Sequence, residues 1–222
     1  VALSTRPEER AGDDGLWDRA EAALRAVLAR LGAPFVHQPG AGAFYGPKLE
    51  WTLHDRLGRP WQCGTIQFDL VMPARFGLCF VDRDGQRRTP VMLHRALYGS
   101  LERFLGILLE HHAGALPPWM APEQVVVLPV GEAGQAAAER LEAELRRTGL
   151  RSRIDADEGL AKRLARAHER KIPFQAILGA REAGAGTVTV RGRGDQQATA
   201  PWDAAIAELR RACARPAFVE AV

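Results

Sequence analysis

Cysteine is scarce in this chain. There are three, Cys63, Cys79 and Cys213, and no C-x-x-C pair. An odd count without that spacing argues against a disulfide framework and for a reducing, cytoplasmic setting. It also argues against a zinc knuckle built by this chain alone. No apolar run approaches the roughly 18 residues of a membrane helix, so no membrane partner is expected. The first residues, Val1-Ala2-Leu3-Ser4-Thr5, carry no basic leader before an apolar stretch, so no signal peptide is expected. Aromatics are sparse at 7%, although five of them are Trp. Neither sign of charge dominates. The net charge of +3 says little about nucleic acid, so the placement of the cations matters more than their number. What is present is ordinary globular material, 46% hydrophobic and 26% charged over 222 residues, enough for one large domain or two small ones.

Asp13-Asp14 can cap a helix running to about Leu31. Leu16, Ala20, Ala23, Leu24, Val27, Leu28 and Leu31 recur on it at three- and four-residue spacing, and Gly32 and Pro34 stop it. The segments 44–53 and 61–69 read as two strands around the turn Asp55-Arg56-Leu57-Gly58-Arg59, a β-hairpin. A further hairpin is expected from 77–81 and 89–97. Strands without intervening helices predict antiparallel pairing. Residues 101–112 are apolar nearly all round, which predicts a helix buried against the sheet. Leu116-Pro117-Pro118-Trp119-Met120-Ala121-Pro122 breaks every period and suggests a division into residues 1–118 and 119–222. Beyond it, 124–130 reads as a strand buried on both faces. Helix 135–148, strand 152–155, helix 160–171, strands 174–178 and 187–190 and helix 201–214 follow. That order predicts a mainly parallel sheet flanked by helices.

Four groups of residues can carry chemistry. Gly99-Ser100, at a strand-to-helix junction, with Arg103 one turn on, suits a phosphate or other anion; equally, Ser100 is a helix cap and Arg103 a surface residue. The polar strand Gln62-Cys63-Gly64-Thr65-Ile66-Gln67 suits a small-molecule pocket if a β-bulge groups Gln62 with Thr65 and Gln67; otherwise it is an exposed polar face. His94-Arg95 sits near a strand end, where a histidine is a structural hydrogen-bonding residue or a metal ligand. The basic residues from Arg146 to Lys171, with Arg191 and Arg193, form either a solvated helix face or a nucleic-acid footprint.

Ser4-Thr5-Arg6-Pro7-Glu8, Gly42-Ala43-Phe44-Tyr45-Gly46-Pro47-Lys48, Gln62-Cys63-Gly64-Thr65-Ile66-Gln67, Pro90-Val91-Met92-Leu93-His94-Arg95-Ala96, Gly99-Ser100-Leu101-Glu102-Arg103-Phe104 and Trp119-Met120-Ala121-Pro122 follow one another here. In order and spacing they resemble the threonyl-tRNA synthetases. The resemblance runs to about Val130 and continues more weakly to the C-terminus. It implies an α+β and α/β architecture: part of a class II synthetase antiparallel sheet with helices over 1–118, then a small mixed-sheet anticodon-binding domain over 119–222. It implies ATP-dependent activation of threonine and transfer to tRNA, with ATP, Mg2+ and Zn2+ as cofactors. Arg103, with Lys48 and Gln62, would be catalytic. Tyr45, Thr65, Gln67, Gly99 and Ser100 would bind substrate, and His94 would be one of three zinc ligands. Arg151, Arg153, Lys162, Arg163, Arg166, Arg191 and Arg193 would meet tRNA. Two further readings stay open: a catalytically silent paralogue that binds tRNA or a protein partner, and one half of a split enzyme completed by an upstream half or another synthetase subunit.

Overall fold

Asp13 accepts the Leu16 N–H on its side chain at 3.1 Å and so starts α1 (Asp14–Arg30). Trp17, Ala20, Leu24 and Leu28 form its buried stripe. Leu24 and Leu28 pack with Leu3 and Leu49 against Ile66, Phe68 and Trp51 on one face of a sheet. Each such leucine contributes about 1.5–3 kcal/mol on burial. The computed structural model describes residues 1–194 and 196–217, and the chain splits into two units between His111 and His112. The division expected after residue 118 falls in the stretch that joins the last helix of the first unit to the first strand of the second.

The first unit holds β1 (Ala2–Ser4), β2 (Val36–Gln38), β3 (Lys48–His54), β4 (Pro60–Asp69), α2 (Met72–Arg75), β5 (Phe80–Val81), β6 (Arg87–Arg88), β7 (Met92–Ala96) and α3 (Leu101–His111). Its main sheet runs β2-β1-β3-β4-β7, with β1 parallel to β2 and every other pair antiparallel. The β3–β4 hairpin is the one expected. Its turn is tied by Asp55, which accepts from the Leu57 and Arg59 N–H groups at 2.9 Å and from the Trp61 indole at 2.9 Å. The indole bond leads a set of contacts that outweighs burial and holds the Asp55 carboxyl well below the usual range.

Two expectations are corrected in this unit, and two short strands are added. The second hairpin is only the two-residue pair β5–β6, because β7 leaves it to pair with β4 in the main sheet. β1 and β2 are three residues each, too short for alternation to announce. α3 forms where expected but buries none of its residues. Leu101, Leu105 and Leu109 are exposed, since nothing in the first unit lies over that face.

The second unit comprises β8 (Val125–Pro129), α4 (Gly131–Arg147), β9 (Ser152–Ile154), α5 (Leu160–Glu169), β10 (Phe174–Leu178), α6 (Ala180–Ala185), β11 (Thr187–Gly192), β12 (Gln197–Pro201) and α7 (Trp202–Ala212). The order is β12-β11-β10-β8-β9, with β9, β8 and β10 parallel and β11 and β12 antiparallel. β8 is buried on both faces as its valine run predicts. Val125 and Val127 join Leu141, Leu145 and Ile206 on one side, and Val126 and Leu128 join Ala167 and Ile172 on the other. The sheet is more antiparallel than expected, because 197–201 forms an extra strand. The glycine-rich 184–186 stretch closes the short helix α6, which ends at Gly186.

Candidate functional site

The pairing of β3 with β4 decides which side chains meet. Lys48 faces Gln67 and Glu50 faces Thr65. The register then shifts between Trp51 and Thr52, so that Thr52 faces Gln62. Cys63 is the extra residue of that bulge. Cross-strand partners share a face, so the bulge brings Gln62 to the same side as Thr65, Gln67, Lys48 and Glu50. β7 adds His94 opposite Gln67. Leu49, Ile66 and Phe68 occupy the other side, against α1. One face of the sheet is thus polar and the other is core.

Tyr45 reaches this polar face from the 40–47 loop and donates its Oη–H to Gln67 Oε1 at 2.7 Å. Gly46 permits the approach: a Cβ there would stand 2.0 Å from the Phe68 carbonyl oxygen. Lys48 Nζ lies 2.9 Å from Glu50 Oε1, and buried Ser4 donates to Glu50 Oε2 at 2.6 Å. His94 Nε2 is 2.8 Å from Asp69 Oδ2, whose other oxygen accepts from the Val71 and Met72 N–H groups at 2.9 Å. Burial opposes ionisation of Asp69. The bonds from Met72, His94 and Val71 together outweigh it and hold the carboxyl below its ordinary range. Ser4, Glu50 and Asp69 were not singled out from the sequence. Asp69 carried a signal, since it continues the Thr65–Gln67 alternation just before the Met72-Pro73 helix start.

His94 is half exposed, but it is one donor only. Among the described residues no group of three His, Cys, Asp or Glu could hold a metal. The residues present therefore do not make a zinc centre, and no step is routed through one.

Gly99 turns the chain from β7 into α3 with φ +70°, and a Cβ there would come within 3.0 Å of the Cys63 carbonyl. The junction therefore rests against the bulge. Ser100 accepts the Arg103 N–H at 3.2 Å and donates to Glu102 at 2.8 Å, so it is a helix cap. The exposed Arg103 guanidinium has no hydrogen-bond or ion-pair partner among the described residues, which leaves a cation available to an anion.

In the second unit the basic cluster is largely committed to the protein itself. Arg151 donates to the Ala121 and Trp119 carbonyls at 2.9 and 2.8 Å. Arg153 pairs with Glu123 at 2.9 Å, Arg166 with Asp155 at 3.1 Å and Glu158 at 2.5 Å, and Lys162 with Glu158 at 3.1 Å. Arg163 is buried and donates to the Pro129 and Asp155 carbonyls, both at 2.8 Å. It faces inward, because α5 turns that side onto β8. Arg193 donates to the Leu116 and Lys171 carbonyls, and burial lowers its pKa. Arg191 lies beside a cavity of about 310 Å³ between α5 and β11. Among the described residues no helix is long and apolar enough to cross a membrane.

Residues 7–112 match the family model of the tRNA synthetase class II core domain (G, H, P, S and T), and residues 124–212 that of the anticodon binding domain. The threonine–tRNA ligase of Thiobacillus denitrificans is 52% identical over 197 residues, which is 88% of this chain and 31% of that protein. That of Halorhodospira halophila is 53% identical over 194 residues, 87% of this chain and 30% of its own length. The crystal structure of the RNA binding domain of threonyl-tRNA synthetase from Cryptosporidium parvum Iowa II has a TM-score of 0.83 and 36% identity, over 95% of this chain and 54% of that one. The chain spans about a third of the length of the curated relatives it matches. A synthetase core model followed by an anticodon-binding model, over a stretch about half identical to these ligases, places the chain in the threonyl-tRNA synthetase family, as the C-terminal region of the class II core followed by the anticodon-binding domain.

Proposed function

We propose that this chain forms part of a threonine–tRNA ligase and supplies one wall of its activation site together with its tRNA-binding domain. The observation that supports this most is the bulge register, which gathers Gln62, Thr65, Gln67, Lys48 and His94 on one face with Tyr45 over it. In activation, the threonine carboxylate displaces pyrophosphate from the α-phosphorus of ATP; Mg2+ bound with the nucleotide would supply further positive charge to the phosphates. Tyr45, Thr65 and Gln67 hold the amino acid and its adenylate by hydrogen bonds. Lys48, kept in place by Glu50, and Gln62 meet the polar groups of the reacting centre. Arg103, with the Gly99–Ser100 turn beneath it, meets the phosphates. Positioned charge of this kind contributes most where charge develops in the transition state. The setting is cytoplasmic.

The uncovered leucines of α3 favour a particular form of this reading: completion by further polypeptide, either the remainder of the same protein or a separate subunit. The test is threonine-dependent ATP–pyrophosphate exchange. The chain alone is expected to give none. Adding the N-terminal two-thirds of a close relative should restore it, and Arg103→Ala should abolish the restored activity. Exchange by the chain alone that survives Arg103→Ala would overturn the assignment. Absence of exchange even after complementation, with tRNA binding retained, would favour the silent binding module.

A further inference from the structure

Each strand of the first unit's main sheet places one polar residue in a single row. Ser4 of β1 lies opposite Gln38 of β2 and opposite Lys48 of β3. Lys48 in turn lies opposite Gln67 of β4, and Gln67 opposite His94 of β7. Residues paired across a sheet share a face, so Ser4 stands in line with the groups of the site. Unlike them it is fully buried. Its hydroxyl lies 2.6 Å from Glu50 Oε2 and 3.2 Å from Gln38 Oε1. A serine hydroxyl has a single hydrogen to give. It goes to the carboxylate, which is the nearer acceptor and the charged one. The other oxygen of Glu50 lies 2.9 Å from Lys48 Nζ. Contacts therefore run from Ser4, through the buried carboxylate of Glu50, to the Lys48 ammonium.

We infer that Ser4 is a positioning residue for threonine activation, acting on Lys48 through Glu50. A lysine ammonium sits on a flexible stem and imposes no geometry of its own. Glu50, two residues further along β3, draws it along the strand, but a glutamate is itself rich in rotamers. Ser4 is the rigid end of the chain, because its hydroxyl oxygen is one bond from the backbone-fixed Cβ and has no solvent to turn toward. By fixing one carboxylate oxygen it sets the place of the other, and so of the ammonium. A second effect is electrostatic. The hydrogen bond to Oε2 draws negative charge toward that oxygen and loosens the hold of Oε1 on Lys48. The ammonium thus keeps more of its charge for oxygens of the reacting centre. In Ser4→Ala the carboxylate is free to turn, and its charge falls more fully on Lys48. Both changes weaken a cation that is useful only when it is preset where charge develops.

This inference rests on the reading of Lys48 as part of an activation site. The experiment has two readouts. Nitrogen-15 NMR of the lysine ammonium groups is recorded on the full chain alone, with Lys48→Gln assigning the Lys48 signal. Threonine-dependent ATP–pyrophosphate exchange is measured on the chain completed by the N-terminal two-thirds of a close relative. Ser4→Ala should shift or broaden the Lys48 ammonium signal while the backbone amide spectrum of the second unit stays unchanged, which separates the effect from unfolding. It should lower kcat by roughly five- to fiftyfold, with KM for threonine and for ATP within about twofold, as expected for a contact that matters in the transition state. Gln38→Ala removes the other neighbour of the hydroxyl but leaves the route to Lys48. It should keep the ammonium signal, and kcat within about twofold of wild type. An unchanged kcat in Ser4→Ala, an unmoved Lys48 signal, or an equal loss in Gln38→Ala overturns the inference while leaving the activation-site reading intact. Absence of exchange from the completed wild type overturns that reading and the inference with it.

Discussion

His94 gives its Nε2 to the buried carboxylate of Asp69 at 2.8 Å, and its Nδ1 has no protein partner among the described residues. Asp69 is ionised and can only accept, so the neutral ring carries its proton on Nε2. Asp69→Asn should reverse this. The amide oxygen takes over the Val71 and Met72 N–H groups, its NH2 then faces Nε2, and the ring proton moves to Nδ1. Long-range proton–nitrogen NMR reads the tautomer directly, with His94→Gln assigning the signal. A folded Asp69→Asn protein with an unchanged tautomer would refute the arrangement. Asp69→Ala, which removes all three bonds, should cost about 2–4 kcal/mol in urea unfolding.

Arg163 behaves as a core residue although its position in a basic run suggests RNA. Its guanidinium caps two buried carbonyls. Arg163→Glu should therefore destabilise the protein by about 3–5 kcal/mol by burying an uncompensated carboxylate. Arg163→Met should cost about 1–3 kcal/mol. Lys162→Glu, one residue away on the exposed side of α5, should lie within about 0.5 kcal/mol of wild type. Denaturant melts of the three variants separate a structural role from a phosphate contact. Equal stability across all three would contradict the buried placement.

Acid should unfold the first unit through its lowered carboxylates. Asp55 and Asp69 both have folded pKa values below the unfolded value of about 3.9. Between the two values the unfolded state binds more protons, so stability rises with pH there. Their contribution is complete above about pH 4 and is lost as pH falls through the folded values. Asp55→Asn should flatten that acid limb. Hydrogen exchange on the β3–β4 hairpin, followed between pH 5 and 3, reports it, and an unaltered limb in the variant would show that Asp55 does not contribute.

Much of this was legible in the residues because local rules and tertiary structure agree. The Asp13 cap, the leucine stripe of α1, the valine run of β8 and the 55–59 turn are each fixed by neighbours in sequence. The bulge was legible as an option, since Gln62 and Thr65 share a face only if the register shifts. The path of β7 was not, because pairing with β4 rather than β5 depends on a sheet assembled from distant segments. The pairing of the basic cluster was also hidden. Glu123 sits 30 residues from Arg153, and no count of nearby charges reveals it. Asp69 was missed because an acid among polar strand residues looks solvent-facing until a histidine from another strand is set against it.

α3 has 11 residues, fewer than the roughly 12–15 at which a helix begins to hold by itself in water. It is pinned at its far end by the Arg59–Glu110 pair at 2.6 Å, and at its near end by the Ser100 cap and the packing of Tyr98 on Phe104 at 4.5 Å. Its leucine face gains nothing from burial until something covers it. The order of the first helical turn, and with it the aim of Arg103, is therefore coupled thermodynamically to that covering. Whatever binds the leucines prepays the entropy of arranging the guanidinium, so assembly and readiness for an anion become one equilibrium rather than two.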